Sequence, residues 1–533
     1  MAATKSPTPD RPDYKRPELV EILPSLTLMQ DLLGGTPTMH AANTTYIRKW
    51  TDEDPTVYRI RSRCEQLFEA TGRTLSAAVG MMYARPPTLD FPAMAKVLED
   101  EHWPNIDGAG NSGHVFMKRF TDVATRDGVA VILVDMPQQP TDPDTKQPIE
   151  VTSQVEEALD LRPRWSYYPR GQALSWWDDT VDNRRQVVQL VLWEPTAVPE
   201  RTYGVKVVNR FRVLNVINRV AYWALLEEFK ESGKADDFRL KGSGTFMNRK
   251  GEPYDRLPIG IAHTGRSDAL MQGSVPLLGV AQANLGHYQL STNLRFYLDL
   301  LAFPQPTVIG KLQGTAGTGG QIVPGKLKLG PMVVVRLEGE GADYRFTSPS
   351  PDAFNPLQKA VERKEWQISQ IGMSFLAGDT RAAETAEAKR LDATAENATL
   401  STAAQGVEDA VNEAWVHHAW YEGLESDQAP SVGINRDFES VAMDAQTMSA
   451  YVNAVEKAGL PGRLLLEAWQ KGGRIPPEVD LEELEMEMLA AQAAKAEEER
   501  QAREASLANM QGDTKAKPAL DGDGNAIEDG EGN

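Results

Sequence analysis

The chain has 533 residues, 41% of them hydrophobic, and its 56 basic and 76 acidic residues give a formal net charge of −20. This length and composition allow one or more real cores in about three or four domain-sized units. The acidic balance argues against a protein that grips nucleic acid through a broad basic surface, so contact with DNA is expected to be local or sliding.

Cysteine usage and hydropathy restrict the compartment. Cys64 is the only cysteine, which excludes an intrachain disulfide and a thiolate metal cluster and suits a reducing cytoplasm. The stretch from Met1 to Tyr14 is polar and proline-rich, and nowhere do eighteen apolar residues follow one another. We therefore expect neither an export signal nor a membrane span.

The first half of the chain has a mixed α/β pattern. Residues 46–83 are predicted to be helical, with a core formed by Tyr58, Leu67, Phe68, Leu75 and Val79. A helix near residues 114–124 ends at a turn, and the branched apolar run 129–134 predicts a buried strand. Further strands are predicted at residues 165–168, 174–177, 186–193 and 210–216, which would place Trp176, Trp177 and Trp193 in the core or in cross-strand pairs.

A helix of about 25 residues is predicted after Pro276, ending at Phe303-Pro304. Its first apolar stripe consists of Leu278, Ala281, Leu285, Tyr288, Thr292, Phe296 and Leu300, and a second consists of Leu294, Leu298 and Leu301. Two stripes indicate packing on more than one side, in a core or between subunits. The segment 305–350 that follows contains a glycine-rich loop at 314–320 and a predicted strand at 332–337.

Two further helices are separated by a short break. The first begins near Asp352 and carries Phe354, Leu357, Val361, Ile368, Ile371 and Phe375 at helical spacing. Gly378 can end it, because glycine adopts backbone conformations that terminate helices, and Asp379-Thr380 can cap the next one. The second helix runs from about Arg381 towards Trp415, and roughly forty residues make a rod of about 60 Å.

Motifs that suggest chemistry lack required parts. Residues 320–326 match most of a phosphate-binding loop, but Leu327 stands where a magnesium-binding Ser or Thr is needed and Pro324 interrupts the loop. His417 and His418 are adjacent, so they point to different sides of a helix and are expected to be structural. Cys64 lies in a helical core pattern without an evident histidine partner. The sequence therefore predicts no catalytic, cofactor or metal site, and no enzyme.

Several pieces of sequence, in this order, carry a resemblance to a known family. They are residues 106–137, Leu257-Pro258-Ile259 leading into residues 282–288, and residues 367–388 with Ile371-Gly372 and Glu384-Thr385-Ala386. Over residues 40–480 the chain resembles the portal proteins of tailed bacteriophages, in a branch described as a domain of unknown function. The resemblance implies an α+β portal fold with a mixed α/β wing, a two-helix stem, a small β-containing clip, a long wing helix and a helical crown.

The same resemblance implies a division of the chain. It consists of an N-terminal arm (1–40), the wing (41–274), a stem helix (275–303), the clip (304–350), a second stem helix (351–375), the tunnel loop (376–381), the rest of the wing (382–470), the crown (471–510) and a disordered acidic tail (511–533).

The implied functional residues lie in three places. The tunnel loop that would line the DNA channel is Leu376, Ala377, Gly378, Asp379, Thr380 and Arg381. The stem cations that would come near DNA are Lys359, Arg363 and Lys364, although these side chains could equally pair with Glu362 and Glu365 on the helix surface. The clip lysines are Lys311, Lys326 and Lys328.

The family also implies partners and a location. Such proteins form a homo-oligomeric ring, commonly of twelve copies, at one capsid vertex of the virion, and they are assembled in the bacterial host cytoplasm. Double-stranded DNA passes through the ring during packaging and ejection. The expected partners are the terminase large subunit, head-tail adaptor proteins, and the major capsid and scaffolding proteins, with no membrane.

Two alternatives stay open. One is another ring-forming phage head-completion or collar protein, which would not need the order helix, β insert, helix, loop, long helix. The other is an enzyme that uses the glycine-rich loop, which a nucleotide-binding assay would detect.

Overall fold

The computed structural model of the chain describes residues 10–137, 159–229, 237–267, 269–302, 305–312, 315–316, 322–323, 337–347, 354–372, 386–436 and 479–512, with positions 463, 466, 469 and 470. The chain divides into two compact units, Met1–Phe438 and Glu439–Asn533. The first unit contains the helices and sheets of an α+β fold.

The helices of the first unit are α1 (Pro17–Leu33), α2 (Gly35–Ala42), α3 (Pro55–Arg61), α4 (Ala70–Met82), α5 (Gly113–Asp127), α6 (Leu278–Ala302), α7 (Phe354–Ile371) and α8 (Ala386–Tyr421). The predicted helices at 114–124, after Pro276, after Asp352 and towards Trp415 are therefore confirmed within the described ranges. Residues 381–385, where the last of these was expected to begin, lie outside them.

The described strands are β1 (Thr88–Asp90), β2 (Val129–Asp135), β3 (Arg164–Pro169), β4 (Ala173–Val181), β5 (Arg184–Glu200), β6 (Gly204–Ile217), β7 (Val220–Phe229), β8 (Asp237–Thr245), β9 (Ile259–His263), β10 (Gln305–Leu312), β11 (Thr315–Ala316), β12 (Ile322–Val323), β13 (Leu337–Thr347) and β14 (Ser431–Gly433). The predictions for β2 to β6 are confirmed. The predicted strand at 332–337 falls on undescribed residues except Leu337, where β13 begins.

The strands form five sheets, and every described pairing is antiparallel. The larger sheets have the orders β3-β2-β9 and β4-β5-β6-β7-β8, and the three pairs are β1-β14, β10-β13 and β11-β12. In the five-stranded sheet the β4–β5 and β6–β7 connections place Asp182-Asn183 and Asn218-Arg219 at positive φ. Two central residues with positive φ are the mark of type I′ hairpin turns, whose twist matches that of the strands.

In the first unit, the α+β body around the sheet β3-β2-β9 is here named the wing. Its centre is β2, whose residues 129–134 are all buried. Helices α5 and α8 pack against this strand, which explains why its sequence is continuously apolar instead of alternating. Helix α8 also lies directly on β9. A Cβ on Gly406 would come 2.0 Å from the carbonyl oxygen of His263, and one on Gly260 would come 2.2 Å from that of Ala410. Glycine at both positions permits this close approach.

One core prediction, that for Phe68, is wrong. Of the adjacent tryptophans, Trp176 is buried, while Trp177 is 59% exposed and lies in a cross-strand pair with Gln189, which the prediction of a core position or a strand pair allowed. Phe68 is 41% exposed, since it precedes α4 and rests against the ring of His287, with ring centroids 5.3 Å apart. The other predicted core residues of this region, Tyr58, Leu67, Leu75 and Val79, are buried.

The second unit contains α9 (Leu481–Gly512), a helix of 32 residues at the position of the predicted crown helix. Its first turn carries Glu482 and Glu483, which favour a helix N-terminus. The tail from residue 513 onwards lies outside the described residues. Among the helices that the structure describes, none is both long and apolar enough to cross a membrane.

Candidate functional site: the helical hairpin and its strand tip

Helices α6 and α7 form an antiparallel hairpin. Gly279 on α6 faces Ile371 on α7, with 3.1 Å from an added Cβ to the side chain, while Gly286 faces Lys364 at 3.3 Å. Residue numbers thus rise along one helix as they fall along the other. The two glycines are seven residues apart and lie on one face of α6. This spacing is a sequence signal for close helix packing that our sequence interpretation missed.

The first half of α6 is anchored in the wing. The Asn284 amide donates to the Thr71 hydroxyl over 3.1 Å, and the Gln289 amide donates to the Tyr46 carbonyl over 2.9 Å. Tyr288 and Thr292, on the predicted first stripe, are buried. Beyond Thr292, α6 has no fully buried residue, so its second half emerges from the core beside α7.

A buried ion pair supports α6 where it leaves the core. Arg61 and Glu53 form two 2.8 Å hydrogen bonds, and their side chains are only 2% and 3% exposed. The Arg61 guanidinium also donates to the Arg48 carbonyl, lies 3.9 Å from the Trp50 ring centroid and reaches Asn293 of α6 at 3.4 Å. A buried guanidinium is tolerable only with such a complete set of partners. No local pattern in the chain indicates this pairing.

A strand pair occupies the distal end of the hairpin. Strand β10 begins three residues after α6 ends, β13 ends seven residues before α7 begins, and the two strands pair from Gln305↔Thr347 to Leu312↔Leu337. Lys311, a predicted clip lysine, lies on β10 opposite Glu338. Lys326 and Lys328 lie outside the described residues, as do all six tunnel-loop residues, 376–381.

Two of the three predicted stem cations share an exposed face of α7. Lys359 and Arg363 are one helical turn apart and both are exposed. The alternative pairing with Glu362 and Glu365 is wrong, because the Glu362 carboxylate accepts a hydrogen bond from Gln358 and Glu365 lies 3.3 Å from His287. Within the described part of the chain, neither cation has a carboxylate at salt-bridge distance.

Lys364 is placed differently from the other two cations. Its side chain is half-buried and its methylene groups run across α6 at Gly286. A lysine in this position stabilises helix packing through its aliphatic stem. Of the predicted stem set, only Lys359 and Arg363 are therefore exposed, on the outer face of α7.

Helix α8 completes the arrangement by running through the wing. Its 36 residues span about 54 Å at 1.5 Å per residue. From Leu400 onwards it presents small and apolar residues to the core: Leu400, Ala403, Ala404, Val407, Ala410, Val411, Ala414 and Trp415 are all buried. The alanines allow the close packing on β9 described above, so this part of the predicted rod is a core element.

His417 and His418 point to different partners, as their adjacency predicted. His417 Nδ1 lies 2.6 Å from the Tyr254 hydroxyl and its Nε2 lies 3.1 Å from the Ile259 carbonyl oxygen. A carbonyl can only accept, so Nε2 carries the proton and Nδ1 accepts from tyrosine. Burial lowers the pKa of His417 to about 4, which keeps it neutral.

The partner of His418 is His102, which the sequence did not single out. The Trp165 indole donates to His418 Nδ1 over 3.0 Å, and His418 Nε2 lies 2.7 Å from His102 Nδ1. Because an indole N–H can only donate, His418 must carry its proton on Nε2 and donate it to His102. Burial is the main cause that lowers the pKa of both rings, that of His102 to about 4.

This tautomer argues against a metal ion in the same place. His102, His418 and Glu422 offer three ligand atoms within 4.8 Å of one another. Ligation through His418 Nε2 would move the proton to Nδ1, where it would face the Trp165 N–H. The donor set therefore does not fit a metal while the tryptophan hydrogen bond is in place.

Cys64 is a protonated, half-buried thiol. Its Sγ lies 3.1 Å from the Arg61 carbonyl oxygen, and burial is the main cause that raises the pKa of the thiol to about 11. A nucleophilic cysteine needs a lowered pKa. The environment is that of a packed structural residue.

Comparisons with known proteins agree on the region of interest. A family model described as a domain of unknown function, DUF4055, matches residues 276–422. These residues run from the start of α6 to the end of α8, so the match covers the hairpin, its strand tip and the long helix. Among curated proteins, no sequence matches significantly.

Two solved structures contain chains similar to this one. A chain of the virion of a native gene transfer agent (GTA) particle is 14% identical, with a TM-score of 0.35 over 81% of this chain and 98% of that chain. A chain from the neck of an empty GTA particle is also 14% identical, with a TM-score of 0.34 over 80% of this chain and 97% of that chain.

Proposed function

We propose that this chain is a structural component of the head or neck of a phage-type particle and, within that class, the portal protein through which DNA is packaged and ejected. The observation that carries the proposal is the antiparallel α6–α7 hairpin, anchored in an α+β wing and tipped by the β10–β13 pair, with α8 returning into the wing. A hairpin that emerges from a core gives each subunit a long side for contact with neighbours, and such heterologous contacts close into rings.

The charge distribution suits a channel for DNA. A chain of net charge −20 makes a ring that mostly repels phosphate. Lys359 and Arg363 on the outer face of α7 would then add weak phosphate contacts, repeated once per subunit. Exposed cations of this kind are strongly screened by salt, so their contacts with DNA would be weak enough for the DNA to move through the channel.

Electron microscopy of the purified protein tests the proposal directly. We expect closed rings with a central channel, twelve copies being the number that the portal resemblance implies. Mass photometry should show the same assembly at micromolar concentration. Only monomers and dimers across that range would overturn the proposal.

A packaging assay separates a portal from another ring-forming head-completion or collar protein. A substitution in the tunnel loop gives the most specific test, because a bulky side chain in each copy would narrow the channel through which the DNA moves. We expect Gly378→Trp rings to assemble and enter procapsids but to fail in packaging or DNA retention. Normal packaging by fully incorporated variant rings would exclude the tunnel-loop role, and wild-type rings that never enter procapsids would exclude the portal role.

A further inference from the structure

The β5–β6 hairpin extends beyond the five-stranded sheet. Strand β4 pairs with β5 only as far as Leu192, and β7 pairs with β6 only from Arg210 onwards. Between them, residues 195–200 and 204–209 pair only with each other, in six cross-strand pairs. At about 3.4 Å per residue, this ribbon (residues 195–209) extends roughly 20 Å. A lone two-stranded ribbon is marginally stable in water, so contact with a partner would stabilise it.

One face of the ribbon is apolar and exposed. Its exposed members, which alternate along the two strands, are Pro195, Ala197, Pro199, Val205 and Val207, and the half-buried Asn209 lies opposite Pro195 at the base of the face. Val205 is 69% exposed and Val207 is 62% exposed, while Tyr203 at the tip is 97% exposed. Tyrosine is enriched among the residues that dominate protein interfaces, and the exposed valines beside it add apolar area that burial would stabilise.

The two edges of the ribbon differ. Proline has no N–H and is tolerated in strands only where that N–H would point away from the ladder. The nitrogens of Pro195 and Pro199 therefore point to the free edge of β5 and offer no N–H there. Ala197 points to the same edge, and its N–H is the one backbone donor that this stretch of the edge keeps. Their register partners Val205 and Val207 direct N–H and C=O groups to the free edge of β6. One edge is blocked and the other is open.

We propose that the apolar face and the open β6 edge of the ribbon are covered by an adjacent copy of this chain. One face of the ribbon is only about 200 Å², calculated from its length and two strands about 5 Å apart, against about 800 Å² per partner in a stable complex. It is too small to hold an independent protein alone, whereas neighbouring subunits in a ring add other contacts.

Charge and direction point to the same occupant. The tip of the ribbon carries an exposed cation, Arg201, on a chain whose net charge is −20. The tip therefore complements the acidic surface of another copy. In the proposed ring, a different surface of the adjacent copy would cover the open edge, and a ring repeats such a heterologous contact. The inference rests on the ring proposed above.

The test compares Val205→Glu/Val207→Glu with Met94→Glu/Val97→Glu, a matched pair whose wild-type side chains are 67% and 55% exposed outside the ribbon. All four side chains are exposed in the protomer, so each variant should fold. By mass photometry, we expect the ribbon pair to raise the protein concentration needed for assembly at least about tenfold. The matched pair should assemble like the wild type.

Hydrogen exchange supplies a second measurement on the wild-type protein. We expect the amides of Val205 and Val207 to exchange more slowly in the assembled state than in the dilute protomer. Unchanged assembly of the ribbon variant, with equal exchange in both states, would overturn the inference while leaving the ring intact. If the wild type forms no ring, the proposed function fails first. Equal loss of assembly in both variants would show that the ribbon has no special part.

Discussion

His418 donates a hydrogen bond to His102 across 2.7 Å, and its direction is set by Trp165 on the opposite side of the ring. Both histidines are buried and neutral, and 316 residues of sequence separate them. Protonating His102 at Nδ1 would remove the acceptor, and protonating His418 at Nδ1 would place two protons face to face. The hydrogen bonds of these two histidines in the wing therefore require both imidazole rings to be neutral.

The stability of the wing should fall in mild acid. The folded pKa values of His102 and His417 are lowered to about 4, whereas an unfolded histidine titrates near 6.5. Between these values the unfolded chain binds more protons, so the free energy of unfolding decreases as the pH drops from about 6.5 to 4. The loss is at most about 3 kcal/mol per histidine. Denaturant unfolding at several pH values measures it.

A substitution identifies the histidine responsible. His102→Gln keeps an acceptor for His418 but removes one titrating ring, so the slope of unfolding free energy against pH should decrease by up to about 1.4 kcal/mol per pH unit. His114→Gln removes an exposed histidine and is the control. An unchanged slope in His102→Gln would contradict this account of the histidine pair.

The contact between α8 and β9 should be intolerant of even one methyl group. Gly406→Ala would place a Cβ 2.0 Å from the His263 carbonyl oxygen, and the forced backbone shift should destabilise the protein by about 1–3 kcal/mol. Gly80→Ala is the matched control, since Gly80 also lies in a helix and nothing lies within 4 Å of its added Cβ. That control should be stabilised, by up to about 1 kcal/mol. Equal effects in chemical unfolding would refute the close contact.

The exposed cations on the outer face of α7 should determine how strongly the DNA affinity of the ring depends on salt concentration. Lys359→Glu/Arg363→Glu should leave folding and assembly intact, because both side chains are exposed. The dependence of log affinity on log salt should flatten by about one for each phosphate that the variant no longer binds. Lys118→Glu/Arg119→Glu makes the same charge change on exposed positions of α5. If both variants flattened the slope alike, α7 would have no special role.

The strand tip should be dispensable for the wing. Gln305 and Thr347 are register partners on β10 and β13, so a short glycine-serine linker can replace residues 307–346 with little strain. The melting temperature should stay close to that of the wild type, while docking of the packaging motor should be lost.

Lys326→Ala, in contrast, should leave ATP turnover of the packaging system unchanged. Normal DNA packaging without the tip would show that it is not the clip.

Most secondary-structure elements of this protein could be predicted from its sequence, because their signals are local. Period-two and period-3.6 apolar patterns predicted β2 to β6 and the helices α5 to α8. The order of helix, β-containing insert and helix was also predicted, whereas the predicted break at residues 376–380 lies outside the described residues. Strands β7 to β9 were missed. Strand β7 begins with the apolar run 220–226, a strand signal that our sequence interpretation passed over, whereas β8 and β9 combine glycine or polar residues with short apolar runs.

Which side chains meet is a property of the tertiary packing. Lys359, Arg363 and Lys364 look equivalent in the sequence. The missing side chain of Gly286, on another helix, leaves room for Lys364 in the hairpin, while the other two cations are exposed. In the same way, Trp165 selects the His418 tautomer from 253 residues away. Such contacts depend on how distant elements pack, and no local pattern in a single sequence records that packing.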